Sequence, residues 1–415
     1  MSGRLGVYFE QRTVGAVSAD DADRFSFEYE AEWLADDRSF AISQSLPLVD
    51  GTQTGEPAHA FFTNLLPEGR VRTLIARRLG ISEDNDFGLL AALGGECAGA
   101  LVLAATPPGV AEDRYRQLDE VELGEMATSG AAFAELVGGS AARLSLAGAQ
   151  DKLPVKVDGD RLLLPLGASP SSHILKFASR DYKHLPGNEL LIGALARASG
   201  LPVVAAELRS IGKDDHLLVR RYDRVVAGDR ITRLHQEDLC QAFGLPPGRK
   251  YEEEGGPSFD RCFRMIADCS TEPALDTRAV IRWLAFNAIV GNADGHAKNL
   301  SLVRAATGAL RLAPFYDLLS TAIYPKISRR LAMVVGENSD PGTIRGRDWR
   351  LLAERIEVNP AFVVDTVRDL AEAMPTRAAA VAKDLRERHG RFPVAQAILR
   401  QLRKSVRRTL DQLKL

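Results

Sequence analysis

The run Val280 to Val290 (VIRWLAFNAIV) is apolar on nearly every face and leads into Asn292-Ala293-Asp294-Gly295. A segment apolar all round belongs in an interior, so it reads as a buried helix. Asn, Asp and Gly together are turn formers. Two short strand-like runs follow, Leu300 to Arg304 and Ala309 to Leu312, joined by Ala305-Ala306-Thr307-Gly308. Gly308 is available for a positive φ, so the pair reads as a hairpin. It would carry the chain away from Asp294 and return it to Phe315-Tyr316-Asp317. A rigid helix, a loop and a hairpin then have to deliver two carboxylates to one place.

The spacing suits phosphoryl transfer. Asn299 lies five residues after Asp294, and Asp317 eighteen residues after Asn299. The catalytic loop of protein kinases, H-R-D-x-x-x-x-N, has the same Asp-to-Asn gap. In that chemistry one Asp orients and deprotonates a hydroxyl, while an Asn and a second Asp hold the magnesium ions that bridge the ATP phosphates. A D-x-x-x-x-N run alone is common, and Asn-Ala-Asp-Gly alone is a good turn; the hairpin and Asp317 favour the chemical reading.

A strand lysine that meets the phosphates, and a helix glutamate that holds it, complete such a site. Lys176 lies on the short strand His173-Ile174-Leu175-Lys176-Phe177, and Glu189 follows thirteen residues later near the start of a helix. Upstream, Ser145-Leu146-Ala147-Gly148-Ala149-Gln150-Asp151-Lys152 has the small residues that let backbone N–H groups approach phosphate. It is neither G-x-G-x-x-G nor a Walker A, and an ordinary loop would look the same. Asp86-Phe87-Gly88 spells the kinase metal motif but precedes both the lysine and the catalytic loop. It reads as a helix start with Asp86 as its cap, which leaves Asp317 as the metal ligand.

A chain of 415 residues exceeds one typical core, so two or three domains are expected. The formal net charge of −2 gives no general affinity for polyanions. Cys97, Cys240, Cys262 and Cys269 are scattered without C-x-x-C, which suits a reducing cytoplasm and argues against a zinc site. No secretory signal is visible at the N-terminus. Phe87 to Ala105 is apolar but contains Glu96 and four glycines, so a buried helix and strand are expected there, not a membrane span.

Residues 1–105 read as a compact α+β unit, with strands at Leu5 to Phe9 and Phe25 to Tyr29 and a helical stretch from His59 to Leu79 broken at Pro67-Glu68-Gly69. Glu120 to Val137 reads as a further helix. Residues 106–232 are strand-rich. Leu153 to Val157 and Arg161 to Pro165 flank Asp158-Gly159-Asp160, a hairpin signal, and Leu217 to Arg220 is another strand. Asn188 to Ser199 reads as a helix closed by Gly200 and Pro202. Residues 233–415 are mainly helical. The expected fold is α+β and bilobal, with an N-terminal α+β subdomain, a strand-rich lobe and a helical lobe.

The joint order of several segments resembles the HipA-type serine/threonine kinase toxins of bacterial toxin–antitoxin pairs. These are Phe61-Phe62-Thr63-Asn64-Leu65-Leu66-Pro67, Ser145 to Lys152, His173 to Lys176, Arg221-Tyr222-Asp223-Arg224, Gln236 to Gln241, Asn292 to Asn299 and Pro314 to Asp317. The resemblance implies ATP and Mg2+ as cofactors. Asp294 would be the catalytic base, supported by His296 and Lys298; Asn299 and Asp317 would be the metal ligands. Ser145, Leu146, Ala147, Gly148, Ala149, Gln150, Lys152, Lys176 and Glu189 would surround the phosphates. Arg220 and Tyr222 would present backbone groups to adenine, with Asp223 near the ribose. Ser145 would be an autophosphorylation site, whose added charge repels ATP. An aminoacyl-tRNA synthetase as protein substrate, a helix-turn-helix (HipB-like) antitoxin as partner, and operator DNA reached through that complex are also implied, in the cytoplasm. Asp151 stands where the family often has Glu.

Two other classes fit less of the chain. A catalytically silent co-repressor would not need Lys176, Glu189, Asp294, Asn299 and Asp317 together. A small-molecule or lipid kinase could share the D-G-H-x-x-N loop, but no membrane-docking signal accompanies it. From Arg377 onward eleven Lys and Arg stand against three Asp and Glu. This is either a solvated helix face or a surface that touches operator DNA.

Overall fold

A computed structural model describes residues 3–108, 113–129, 143–144 and 151–414. Its contacts divide the chain into two compact units. The first comprises Met1–Phe177, Arg209–Gly248 and Val303–Thr307; the second comprises Ala178–Leu208, Arg249–Leu302 and Gly308–Leu415.

The first unit is built on strands. Phe25, Phe27 and Tyr29 are buried while Ser26 and Glu28 between them are more open, the period-two pattern that makes Phe25–Tyr29 a strand. It pairs antiparallel with Arg12–Ala19 on one side and Thr52–Thr54 on the other; Arg12–Ala19 pairs with Gly3–Phe9, and Gly3–Phe9 with Leu101–Ala104. The expected helical stretch is two helices, Glu56–Thr63 and Gly69–Leu79, interrupted at Pro67-Glu68. The apolar run around residues 87–105 is the buried helix Asp86–Leu93 and the strand Leu101–Ala104. No helix among the described residues is long and apolar enough to cross a membrane.

Asp86 opens its helix but does not cap it. The cap is Asn85, whose side chain accepts from Gly88 N–H at 2.7 Å. Asp86 instead pairs with Arg72 and with His59. The helix expected over Glu120 to Val137 runs from Glu120 to Thr128, behind an Asp119 capping box; residues 130–137 lie outside the described ones.

A second sheet holds Lys152–Asp158, Arg161–Leu166, His173–Lys176 and Asp214–Arg220, all joined antiparallel. The expected hairpin at Asp158-Gly159-Asp160 is present. Buried residues of both sheets, from Leu5 and Phe27 to Leu153, Leu175 and Leu218, form one continuous apolar cluster.

A buried charge network reinforces this unit. Glu96 is fully buried and receives Arg221 Nη1 at 2.9 Å, Arg224 Nη2 at 2.8 Å, Arg233 Nη2, and both N–H and O–H of Ser171. Arg221 and Arg224 also grip Asp223, which accepts from Gly99 N–H at 2.7 Å. Burial alone would raise the Glu96 carboxyl, but Arg224, Arg233 and Arg221 overcome it and hold the group well below the ordinary carboxylate range.

The second unit is helical: Leu185–Ala198, Phe259–Cys269, Pro273–Val290, Gly346–Arg355, Pro360–His389 and Val394–Gln412. Trp283, Leu284, Phe286, Ile289 and Val290 are buried, as their apolar run requires.

Glu96→Gln removes the anion shared by three guanidinium groups, leaving Arg221 and Arg224 with Asp223 alone and Arg233 without its carboxylate. It is expected to cost about 3–5 kcal/mol in denaturant unfolding; a loss below about 1 kcal/mol would contradict the network's role. Because the folded carboxyl lies below its unfolded value near ~4.3, its stabilisation is complete above that pH and is lost as pH falls through the folded value. The wild type should therefore lose stability below about pH 4, and the variant should lose less of it.

Candidate active site

The helix Pro273–Val290 ends at Gly291, whose φ of +71° closes it in the left-handed region. A Cβ at Gly291 would lie 2.6 Å from the Cβ of Ala322, so the close approach also requires glycine. The chain then turns as the sequence suggests. Asn292 is buried, bonds Asn287 Oδ1 through Nδ2 at 3.0 Å, and accepts from Asp294 N–H at 3.1 Å. The side chain of Asp294 stands about half exposed at 48%.

Downstream, His296, Lys298 and Asn299 are all buried. Ala297–Asn299 form one 3-10 turn, and Asn299 Oδ1 accepts from His296 N–H at 3.1 Å. That bond fixes the amide and leaves a further oxygen lone pair. His296 Nε2 lies 3.7 Å from Asp294 Oδ1, beyond an ordinary hydrogen bond.

Asp317 arrives as expected, after the hairpin of Ser301–Arg304 and Leu310–Leu312, with Gly308 at φ +87° in its turn. Phe315 is locked first: its N–H donates to Pro202 C=O at 2.8 Å, its C=O accepts from Val204 N–H at 3.1 Å, and its ring stacks on Trp283. Asp317 itself has φ +54°, an uncommon conformation for a residue with a side chain. Strain of this kind persists where surrounding bonds enforce it and tends to mark functional positions.

Four hydrogen bonds tie the two acidic segments together. Tyr316 O–H donates to Lys298 C=O at 2.6 Å. Ala293 N–H donates to Thr321 Oγ1 at 2.8 Å, Thr321 O–H donates to Gly291 C=O at 2.9 Å, and Ala322 N–H donates to the same carbonyl at 3.0 Å. Asp294 and Asn299 on one segment, and Asp317 on the other, thus belong to a single clamped assembly within the second unit.

Glu189 is in that unit too. Its helix starts at Leu185 with Pro186 in the first turn. The preceding Asn188 bonds Ser320 twice, through Nδ2 to the carbonyl at 3.0 Å and through Oδ1 to the N–H at 2.9 Å. Glu189 and Asp317 line one pocket of about 30 Å³ with Arg197 and Tyr316, room for little more than water.

In the first unit, Lys152 and Lys176 are register partners on adjacent strands, and Lys176 is buried. Cross-strand partners share a face, and like charges opposed there repel. Arg220 is exposed and Tyr222 half-buried, with its hydroxyl bonded to Gln236 Oε1.

Asp223, expected near the ribose, is 4% exposed, and Arg221, Arg224 and Gly99 N–H bond its carboxylate. A carboxylate so engaged is a structural clamp. Ser145, Leu146, Ala147, Gly148, Ala149 and Gln150 lie outside the described residues.

One residue escapes the sequence. Tyr251 donates its hydroxyl to Asp294 Oδ1, and its ring packs edge-on against His296 at 5.0 Å and 87°. It lies 43 residues before the aspartate, and no spacing rule connects them.

As for metal chemistry, Asn299 and Asp317 offer an amide and a carboxylate oxygen, the hard donors magnesium prefers. No group of three or more His, Cys, Asp or Glu residues that could hold a metal occurs among the described residues. Magnesium is often held by one or two carboxylates plus substrate phosphates, so this donor set fits it.

Comparison with known proteins places this arrangement. The family model described as the HipA N-terminal domain matches residues 5–104, and that of the HipA-like C-terminal domain matches residues 144–378. The chain is 36% identical over 388 residues to protein Y4mE of Sinorhizobium fredii, covering 92% of each. It is 30% identical over 391 residues to the serine/threonine-protein kinase toxin HipA of Shewanella oneidensis, covering 91% of this chain and 89% of that one. A solved complex of HipA, HipB and operator DNA from the toxin–antitoxin system of Shewanella oneidensis MR-1 superposes with a TM-score of 0.84 at 27% identity, over 98% of this chain and 97% of that one. With both family domains matched in order and an α+β, kinase-like fold shared end to end, the chain belongs to the HipA family.

Proposed function

We propose that this chain is an ATP-dependent serine/threonine protein kinase that acts as the toxin of a toxin–antitoxin pair. The observation that carries the proposal is the clamp between Gly291–Asn299 and Phe315–Ala322, which joins a half-exposed aspartate to an asparagine and a second aspartate. In this reading residues 106–232 bind the phosphates, 233–415 supply the catalytic loop, and 1–105 are an appended α+β part.

The mechanism follows from the roles of these side chains. A substrate serine hydroxyl meets Asp294, its oxygen bonds to the γ-phosphorus, and the bond from that phosphorus to the β–γ bridging oxygen breaks. The hydroxyl proton passes to the Asp294 carboxylate and ADP leaves. Lys152 and Lys176 balance phosphate charge. Asn299 and Asp317 would hold Mg2+, which supplies positive charge against the phosphate oxygens. His296 and Lys298 support the loop from its buried side. Most of the rate gain would come from positioning and electrostatics.

The finer assignments rest on family likeness. We propose an aminoacyl-tRNA synthetase as the substrate class, a HipB-like helix-turn-helix protein as the antitoxin, the cytoplasm as the site of action, and Ser145 as an autophosphorylation site. For operator DNA there is a separate observation. Arg400, Arg403, Lys404, Arg407 and Arg408 line a groove of about 700 Å³ on the helix Val394–Gln412. A basic face of this kind suits phosphate contact.

With Mg2+ and labelled ATP, Asp294→Ala is expected to lower phosphate incorporation by about a thousandfold, and Asp317→Asn to do likewise. Wild-type activity in either would remove the kinase reading. Ser145→Ala should abolish labelling of its own tryptic peptide, and a persisting phosphopeptide there would place the modification elsewhere. Arg403→Glu with Arg407→Glu should weaken binding of the antitoxin complex to duplex DNA and flatten the slope of log affinity against log salt by about two. An unchanged slope would assign the groove to solvent.

A further inference from the structure

Asp294 stands on a loop, and its side chain is about half exposed at 48%. A carboxylate so placed can rotate between rotamers, and only some of them face an acceptor hydroxyl. Something must hold it. His296 does not, because its Nε2 is 3.7 Å from Asp294 Oδ1. Tyr251 does, by donating its hydroxyl to that oxygen.

The tyrosine is itself well anchored. Its C=O accepts from Glu254 N–H at 3.0 Å and Gly256 N–H at 2.8 Å. On either side, Lys250 C=O accepts from Ala297 N–H at 3.3 Å, and Glu252 receives Val334 N–H on its carboxylate at 2.7 Å. The ring rests edge-on against His296. Residues 250 and 251 therefore staple the catalytic loop at two points, by backbone at Ala297 and by side chain at Asp294.

We propose that Tyr251 is a positioning residue for Asp294: its phenol pins Oδ1, so that Oδ2 is presented to the substrate hydroxyl. This rests on the kinase reading above. Tyr251 touches neither substrate nor phosphate in this role and acts through the aspartate. Its hydroxyl contributes to the orientation of the base, and its ring contributes to loop packing. Tyr251→Phe separates the two, because it keeps the ring against His296 and deletes only the donor.

The test measures Mg-ATP-dependent phosphate incorporation into the full chain, for wild type and Tyr251→Phe, across ATP concentrations, with thermal melting and ATP affinity measured in parallel. The expected result is a ten- to hundredfold lower rate at saturating ATP, of the order that misplacing a reacting group costs. The apparent KM for ATP should stay within about twofold and the melting temperature should not move, since binding and packing are untouched. A saturating rate within about twofold of wild type would overturn the positioning role. So would a loss that follows a fall in melting temperature and ATP affinity, because that is what a packing role alone produces. An active wild type with an equally active Tyr251→Phe defeats this proposal alone. A wild type that transfers no phosphate defeats the kinase reading and this proposal with it.

Discussion

The bonds between Gly291–Asn299 and Phe315–Ala322 are the constraint on which the candidate site depends. Asp294 and Asp317 are separated by a hairpin, and neither lies on a regular element that would fix it alone. Thr321 uses its one hydroxyl twice, accepting from Ala293 and donating to Gly291. Tyr316 closes the other end at Lys298. The buried helix Pro273–Val290 underlies both segments, through the glycine that ends it and through Trp283 stacked on Phe315. Loss of this clamp would leave two ordinary surface carboxylates. With it, an aspartate, an asparagine and a left-handed aspartate form one assembly with the composition phosphoryl transfer needs.

The first unit solves a different problem. It carries four buried charges, Glu96, Arg221, Asp223 and Arg224, with Arg233 part-buried beside them, and such charges are costly unless paired. The guanidinium forks satisfy both carboxylates and several backbone carbonyls at once: Arg221 reaches Cys97 C=O at 2.8 Å and Arg233 reaches Ala168 C=O at 2.7 Å. The network ties three stretches far apart in sequence, around residues 96–99, 168–171 and 221–233. It lies alongside an apolar cluster that already spans both sheets. Directional bonds of this kind select one register among the many that apolar contact alone would tolerate.

Local signals carried most of what could be anticipated. The helix before the catalytic loop, the hairpin after it, the strand holding Lys176 and the break at Pro67 depend on neighbours within a few residues, and the structure contains all four. Asp86 misled because Asn85 and Asp86 are both capping residues. Only the direction of Gly88 N–H, three residues beyond Asn85, distinguishes them. The bonds around Asp223 have a tertiary origin. Arg221-Tyr222-Asp223-Arg224 looks like a polar strand end, yet its arginines are claimed by Glu96, 125 and 128 residues earlier. Tyr251 was invisible for the same reason, since a lone tyrosine beside three glutamates carries no pattern until the fold sets it against Asp294.

The most direct test of the central claim is a crystal structure of the chain soaked with Mg2+ and a non-hydrolysable ATP analogue. The account requires the terminal phosphate beside Asn299 and Asp317, and Asp294 facing the open side of the γ-phosphorus with room for a hydroxyl between them. An analogue bound away from Asp317, or bound with Asp294 turned from its terminal phosphate, would contradict the account.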